Sequence, residues 1–275
     1  MNEEAAIPED NQLTIEQALT NLQCEDLGLR TYAAWWLGRF RVKIPEAVTL
    51  LIEALSDEAD RTEVGGYPLR RNAARALGKL DDCRAVPALI QSLDCTDFYV
   101  REAAAQSLEM LGDRACIPQL MELIKPQQLE LDPTSPDPDL RHPIDAFIEA
   151  LGTLGAVAAI PDILPFLEHP IAKVSYAAAR ALYQLEPNPD IANYYGDRLV
   201  AALGNSDLQL RRTVLSDLGA IGYLGAAEAI ANTMAENSLK LISLKGLLEK
   251  QITLAIPPEL TNGAKQVMTL MDNLL

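Results

Sequence analysis

The apolar positions of this chain follow a helical period, and one block of them returns six times in the same frame. Around Arg30 the chain reads Leu29-Arg30-Thr31-Tyr32-Ala33-Ala34-Trp35-Trp36-Leu37-Gly38, and further on Leu69-Arg70-Arg71-Asn72-Ala73-Ala74-Arg75-Ala76-Leu77-Gly78. The third copy is Val100-Arg101-Glu102-Ala103-Ala104-Ala105-Gln106-Ser107-Leu108, and fainter ones centre on Ile144, Ser175 and Arg211. Counted from the arginine position, the residue before it, the alanines at +3 and +4 and the leucine at +7 share one face of a helix. The closing leucines Leu37, Leu77, Leu108, Leu151, Leu182 and Leu218 are spaced by 40, 31, 43, 31 and 36 residues. A period of this size marks stacked units, none of which buries its apolar face alone.

Each unit predicts two helices. In the first, small residues at +3 and +4 admit a neighbouring backbone, and a Gly or Asp is expected to stop it, as in Gly78-Lys79-Leu80-Asp81-Asp82 and Leu111-Gly112-Asp113. The second helix begins at Ala85-Val86-Pro87, Cys116-Ile117-Pro118 and Ala159-Ile160-Pro161, with each proline in the first turn, where its missing N–H costs nothing. Thr14-Ile15-Glu16-Gln17 fits a capping box. No alternating strand pattern of useful length appears, so the fold expected is all-α, a right-handed α-solenoid of helix pairs. The frame resumes after two interruptions, 57–66 and the proline-rich 126–143, which therefore read as loops within a single domain spanning 1–275; residues 1–12 are expected to fray.

Charge and composition remove several function classes. A net charge of −16 argues against nucleic acid as a partner, and neither a membrane span nor a secretory leader is apparent, which points to the cytoplasm. Cys24, Cys83, Cys95 and Cys116 lack CxxC spacing and companion histidines, so they read as thiols in a reducing compartment, and no metal site is expected. His142 and His169, each followed by proline, carry no metal or catalytic pattern. The charge is uneven: residues 30–101 carry a net +1 and the remainder −17. A locally basic stretch in an acidic protein suits a small carboxylate-bearing ligand, although arginines lacing helices together produce the same count.

If −1, +3, +4 and +7 are packed, then +1, +2, +5 and +9 point outward. In the first unit these are Thr31, Tyr32, Trp35 and Arg39, with Trp36 alongside; in the second, Arg71, Asn72, Arg75 and Lys79; in the third, Glu102 and Gln106, with Tyr99 just ahead. Aromatic faces next to guanidinium groups form a surface that stacks on a flat conjugated molecule and pairs its carboxylates. The competing role for either tryptophan is a place in the core or at the end of the stack. The arginine at the frame position itself (Arg30, Arg70, Arg101, Arg211) reads as a scaffold ladder bonding a loop or carboxylate of the adjacent unit.

The block from Leu29 to Arg41, with Trp35-Trp36 at its centre, followed by the Arg70-Arg71-Asn72 block and the run Phe98 to Asp113, resembles the HEAT-like repeat family of phycobilisome bilin lyases, in its E/F type. The likeness extends over nearly the whole chain. It implies a subunit that works with a homologous F-type lyase subunit to attach phycocyanobilin, as substrate, through a thioether to a cysteine of the phycocyanin alpha chain. In that reaction the acceptor provides the nucleophile, in keeping with the absence of a Cys/His or Ser/His/Asp set and of any tightly bound cofactor. On this reading bilin propionates meet Arg71, Arg75 or Arg39, with the tetrapyrrole stacked on Trp35 or Tyr32. Trp36, Asn72 and Tyr99 complete the surface, and Glu102 is the acid expected to protonate the tetrapyrrole. The alternative is a non-catalytic HEAT-like adaptor or chaperone of phycobilisome assembly or degradation. A metal hydroxylase on such repeats needs His-Glu pairs at helix starts, which this chain lacks.

Overall fold

The structure, a computed structural model, describes residues 13–63, 65–125, 142–253 and 260–275, and every regular element among them is helical. The expected frayed start and most of the proline-rich interruption lie outside these residues. The contacts divide the chain into two compact units, one ending at Cys116 and including the two residues before Ile144, the other beginning at Ile117.

In the first unit, α1 (Ile15–Leu22), α2 (Leu27–Arg39), α3 (Pro45–Ala54), α4 (Pro68–Leu80), α5 (Val86–Ser92) and α6 (Phe98–Leu111) alternate between two layers. The arginine-bearing helices α2, α4 and α6 pack side by side, each backed by a partner from α1, α3 and α5. The second unit repeats the plan. Here α8 (Ile144–Thr153), α10 (Ala172–Leu185), α12 (Leu208–Ile221) and α14 (Asn237–Thr253) form one layer. The other layer is α7 (Ile117–Leu123), α9 (Ile160–Ile163), α11 (Pro189–Ala202), α13 (Ala227–Asn232) and α15 (Asn262–Asp272).

The packing follows the sequence frame. Ala33, Ala34, Leu37, Ala73, Ala74, Leu77, Ala103, Ala104 and Leu108 have no more than trace exposure, and the prolines 87, 118 and 161 fall in first turns as expected. Thr14 and Gln17 close the capping box in both directions. The stop expected within residues 78–82 falls at Asp81, held left-handed at φ 59°, and Gly78 has a different role. It lies inside α4, where an added Cβ would come within 2.6–2.8 Å of Ser107 on α6. Gly38 is equally pressed against Ala76. The glycine at +8 is therefore a contact point between neighbouring first helices.

The arginine ladder is structural as expected: it bonds carboxylates, and the carbonyls of the segment just ahead of each arginine's own helix, with Arg70 also paired to Glu58. Arg30 Nε donates to Leu22 O and its guanidinium also pairs with Asp57; Arg70 Nε donates to Asp57 O. Arg101 Nη1 donates to Cys95 O and Thr96 O, and Arg211 Nη1 to Asn205 O and Ser206 O. The Leu22 carbonyl is at the end of α1, where the helix has run out of its own N–H partners, and the others lie in the short linkers that follow α3, α5 and α11. Ser175 does the same with its hydroxyl to Leu167 O, and Lys240 with its ammonium to Ala231 O. Lys240 thus opens a seventh copy of the frame, with Ser243, Leu244 and Leu247 buried at +3, +4 and +7. The sequence reading missed it because arginine and both alanines are replaced. At the C-terminus α15 buries Ala264 and Val267 against α13 and α14, whereas Ile242 and Leu275 stay exposed.

Candidate functional site

The expected outward stripe on α2 and α4 opens on a groove of about 540 Å3 in the first unit. One wall is α2, which presents Leu27, Gly28, Thr31, Tyr32 and Trp35; α4 adds Pro68 and Asn72. Asp26 caps α2 by accepting from Leu29 N–H, which sets the register that turns Tyr32 and Trp35 the same way. Their rings lie 5.4 Å apart, tilted by 31°, with Tyr32 50% and Trp35 44% exposed. Two large aromatics left that open in a buried-alanine framework lie outside the core.

The third wall is the acidic interruption. Asp60, Arg61 and Thr62 line the groove, and hydrogen bonds hold this linker in place. Ala59 N–H donates to Asp57 Oδ1, Gly66 N–H to Thr62 Oγ1, and Leu69 N–H to Asp60 Oδ2. Asp60 is only 6% exposed. Burial pushes its carboxyl up and the charge of Asp57 adds to this, against the lowering effect of the Leu69 N–H and Arg30. The sequence marked this segment only as a loop, not as part of a site, because its acids read as solvated.

The other expected residues are placed next to the groove or beyond it. Asn72 Nδ2 donates to Thr31 O, tying α4 to α2 beneath the aromatic pair. The Arg71 guanidinium stands 5.7 Å from the centre of the Tyr99 ring, and its Nε is buried with no hydrogen-bond partner among the described residues. Arg75 and Glu102 face each other at 3.8 Å, with Glu102 the more buried. Trp36 is half-buried and stacks on Phe40 at 4.8 Å, away from Tyr32 and Trp35, while Arg39 is exposed. Of the nine expected residues, then, Tyr32, Trp35 and Asn72 line the groove; Arg71–Tyr99 and Arg75–Glu102 form two pairs outside its lining, and Trp36 and Arg39 belong to neither.

Among the described residues the groove lining includes no cysteine or histidine. Cys116 is buried, which pushes its thiol up to about 11, and Cys83 is exposed. In the second unit, His169 Nδ1 accepts from Ile171 N–H, a local turn contact. Among the described residues no group of three or more His, Cys, Asp or Glu is placed to hold a metal ion, and no helix is long and apolar enough to cross a membrane.

The HEAT repeats family matches residues 15–109 and 66–131. "Phycocyanobilin lyase subunit alpha" of Pseudanabaena tenuis is 76% identical over the full length of both chains. The protein of the same name in Nostoc sp. is 58% identical over 96% of this chain and 95% of its own. This chain belongs to the phycocyanobilin lyase alpha-subunit family. A solved structure of the complex of CpcE and CpcF of phycocyanin lyase from Nostoc sp. PCC7120 holds a chain 57% identical to this one, with full coverage of both and a TM-score of 0.86. The all-α, HEAT-repeat reading of the alpha-subunit family is thus shared by sequence and structure alike.

Proposed function

We propose that this chain is one subunit of a heterodimeric phycocyanobilin lyase, acting with a homologous F-type subunit on a cysteine of the phycocyanin alpha chain. We place it in the cytoplasm, with the bilin as substrate and no cofactor of its own. The acceptor thiol adds across the ethylidene double bond of ring A: sulfur bonds to the ethylidene carbon and the hydrogen ends on the adjoining ring carbon. Since the acceptor brings the nucleophile, this chain contributes position. Holding two reactants in register is worth several kcal/mol in a bimolecular addition.

The observation that supports this reading is the open Tyr32–Trp35 pair lining the groove, with Arg71 on α4 outside the lining, its Nε buried and without a hydrogen-bond partner among the described residues. A tetrapyrrole stacks on the rings, and a propionate takes Arg71, whose other face is already against Tyr99. Asn72 fixes the floor. Arg75 is the second propionate partner. Once a propionate draws its guanidinium away, Glu102 is the acid left to supply a proton.

Co-expression with the F-type subunit, a phycocyanin alpha chain and phycocyanobilin tests the reading, with covalent bilin scored by zinc fluorescence in a denaturing gel. Trp35→Ala and Arg71→Ala are expected to cut transfer at least tenfold. With roughly half its side chain already in solvent, Trp35 should cost only about 1 kcal/mol of stability when removed. Full transfer without this chain would return the adaptor reading; full transfer by both folded variants would move the bilin elsewhere.

A further inference from the structure

The groove holds one acid that nothing in the expected site accounts for. Asp60 comes from the linker between α3 and α4, is almost wholly buried, and lies in the groove lining along with Tyr32 and Trp35. Its carboxylate is tethered on two sides, by the Leu69 N–H and by the Thr31 side chain. Each carboxylate oxygen accepts more than one hydrogen bond, so both keep capacity towards the groove. A buried carboxylate with an aromatic platform next to it is a site for a flat cation that carries N–H donors. Burial without a fixed ion-pair partner is costly for an anion, and a cationic ligand relieves that cost.

We propose that Asp60 is the counter-ion of the bound tetrapyrrole, accepting from its pyrrole N–H groups and so holding the bilin in its protonated form. This rests on the groove being the bilin site, and it assigns to Asp60 a binding and positioning role. The proton, supplied by Glu102 on the reading above, stays on the pyrrole nitrogens, so no covalent step passes through the Asp60 carboxylate. Protonation withdraws electrons from the conjugated system and makes the ethylidene carbon of ring A a better target for the acceptor's sulfur. The charged groups acting on Asp60 are Asp57 in the same linker and Arg30 on α2, with Arg61 in the groove lining; α4 contributes the Leu69 N–H. Arg30 is already engaged by Asp57 and Leu22 O, which leaves Asp60 the acid to answer a cation in the groove.

Asp60→Asn is the test, made in the heterodimer with phycocyanobilin added. The amide oxygen still accepts from Leu69 N–H, so the linker keeps its tether while the charge is lost. The visible spectrum of the bound bilin is followed against pH, along with its affinity. The expected result is that wild type binds protonated bilin at neutral pH and that Asp60→Asn loses the protonated band at a pH at least one unit lower, with affinity changed less than tenfold. Trp35→Ala, by contrast, weakens binding itself. A bound bilin that is neutral at pH 7 in the wild type overturns the proposal without any variant, as does an unshifted titration in Asp60→Asn. Unweakened binding in Trp35→Ala sinks the groove assignment instead, which keeps the two failures apart.

Discussion

Replacing Arg211 by methionine measures what one rung of the arginine ladder contributes. The guanidinium Nη1 donates to Asn205 O at 2.6 Å and to Ser206 O at 3.1 Å, in the turn that closes α11. A hydrogen bond from a charged donor contributes roughly 1.5–3 kcal/mol net when its partner is shielded. Ser206 is exposed, so its carbonyl returns to water and that bond counts for little. Arg211 Nε is buried with no hydrogen-bond partner among the described residues, and this desolvation subtracts from the gain. Methionine keeps the apolar stem. The expected loss is therefore about 2 kcal/mol, a fall in Tm of roughly 4–8 °C for a chain of this size. Arg211→Lys should recover about half of it, because Lys240 in the same frame position caps a single carbonyl, Ala231 O, at 3.1 Å. Thermal unfolding followed by circular dichroism decides. A methionine variant within about 0.5 kcal/mol of wild type, or a lysine variant no better than methionine, would refute the capping account.

Two further outcomes follow from the packing and the charges. Gly78→Ala drives a methyl to within 2.6–2.8 Å of Ser107 and should cost about 1–3 kcal/mol by urea denaturation, more than an alanine gains from its helix propensity; Gly112→Ala, with open space around it, should show only the milder strain of its positive φ. On acidification, Asp57 is decisive: burial pushes its carboxyl up, and the Arg30 hydrogen bond and charge more than offset this and hold it low. A lowered folded pKa contributes stability that is present above the unfolded value of about 3.9 and is lost as pH falls through the folded one, so Arg30→Met should flatten the stability curve below about pH 4 and leave its shape near neutrality unchanged.

The helical frame was legible because it depends on local rules. A 3.6-residue period decides which side chains share a face, and this alone placed Ala33, Ala73, Leu77 and Leu108 in the core and Tyr32, Trp35 and Arg75 outside it. Proline and capping residues likewise act within one turn, so the helix starts at Pro87 and Thr14 needed no partner to be recognised. What escaped were statements about which residues of distant elements meet. Lys240 caps a carbonyl as well as an arginine does, yet no identity rule links the two, so the seventh repeat showed itself only through what its side chain touches. The stop after α4 was legible in Gly78-Lys79-Leu80-Asp81-Asp82, but the role of Gly78 as a contact depends on how close α6 passes. The acidic linker read as solvated loop, and it is the Leu69 N–H and the Thr31 side chain that tether Asp60 in the groove with Trp35. Composition and period thus determined the fold and the stripe of candidate residues, since both follow from free energies summed along one helix. Which members of that stripe share a site was decided by tertiary packing, because a pocket is made where three separate segments approach within a few ångströms, and that distance is not encoded in any one of them.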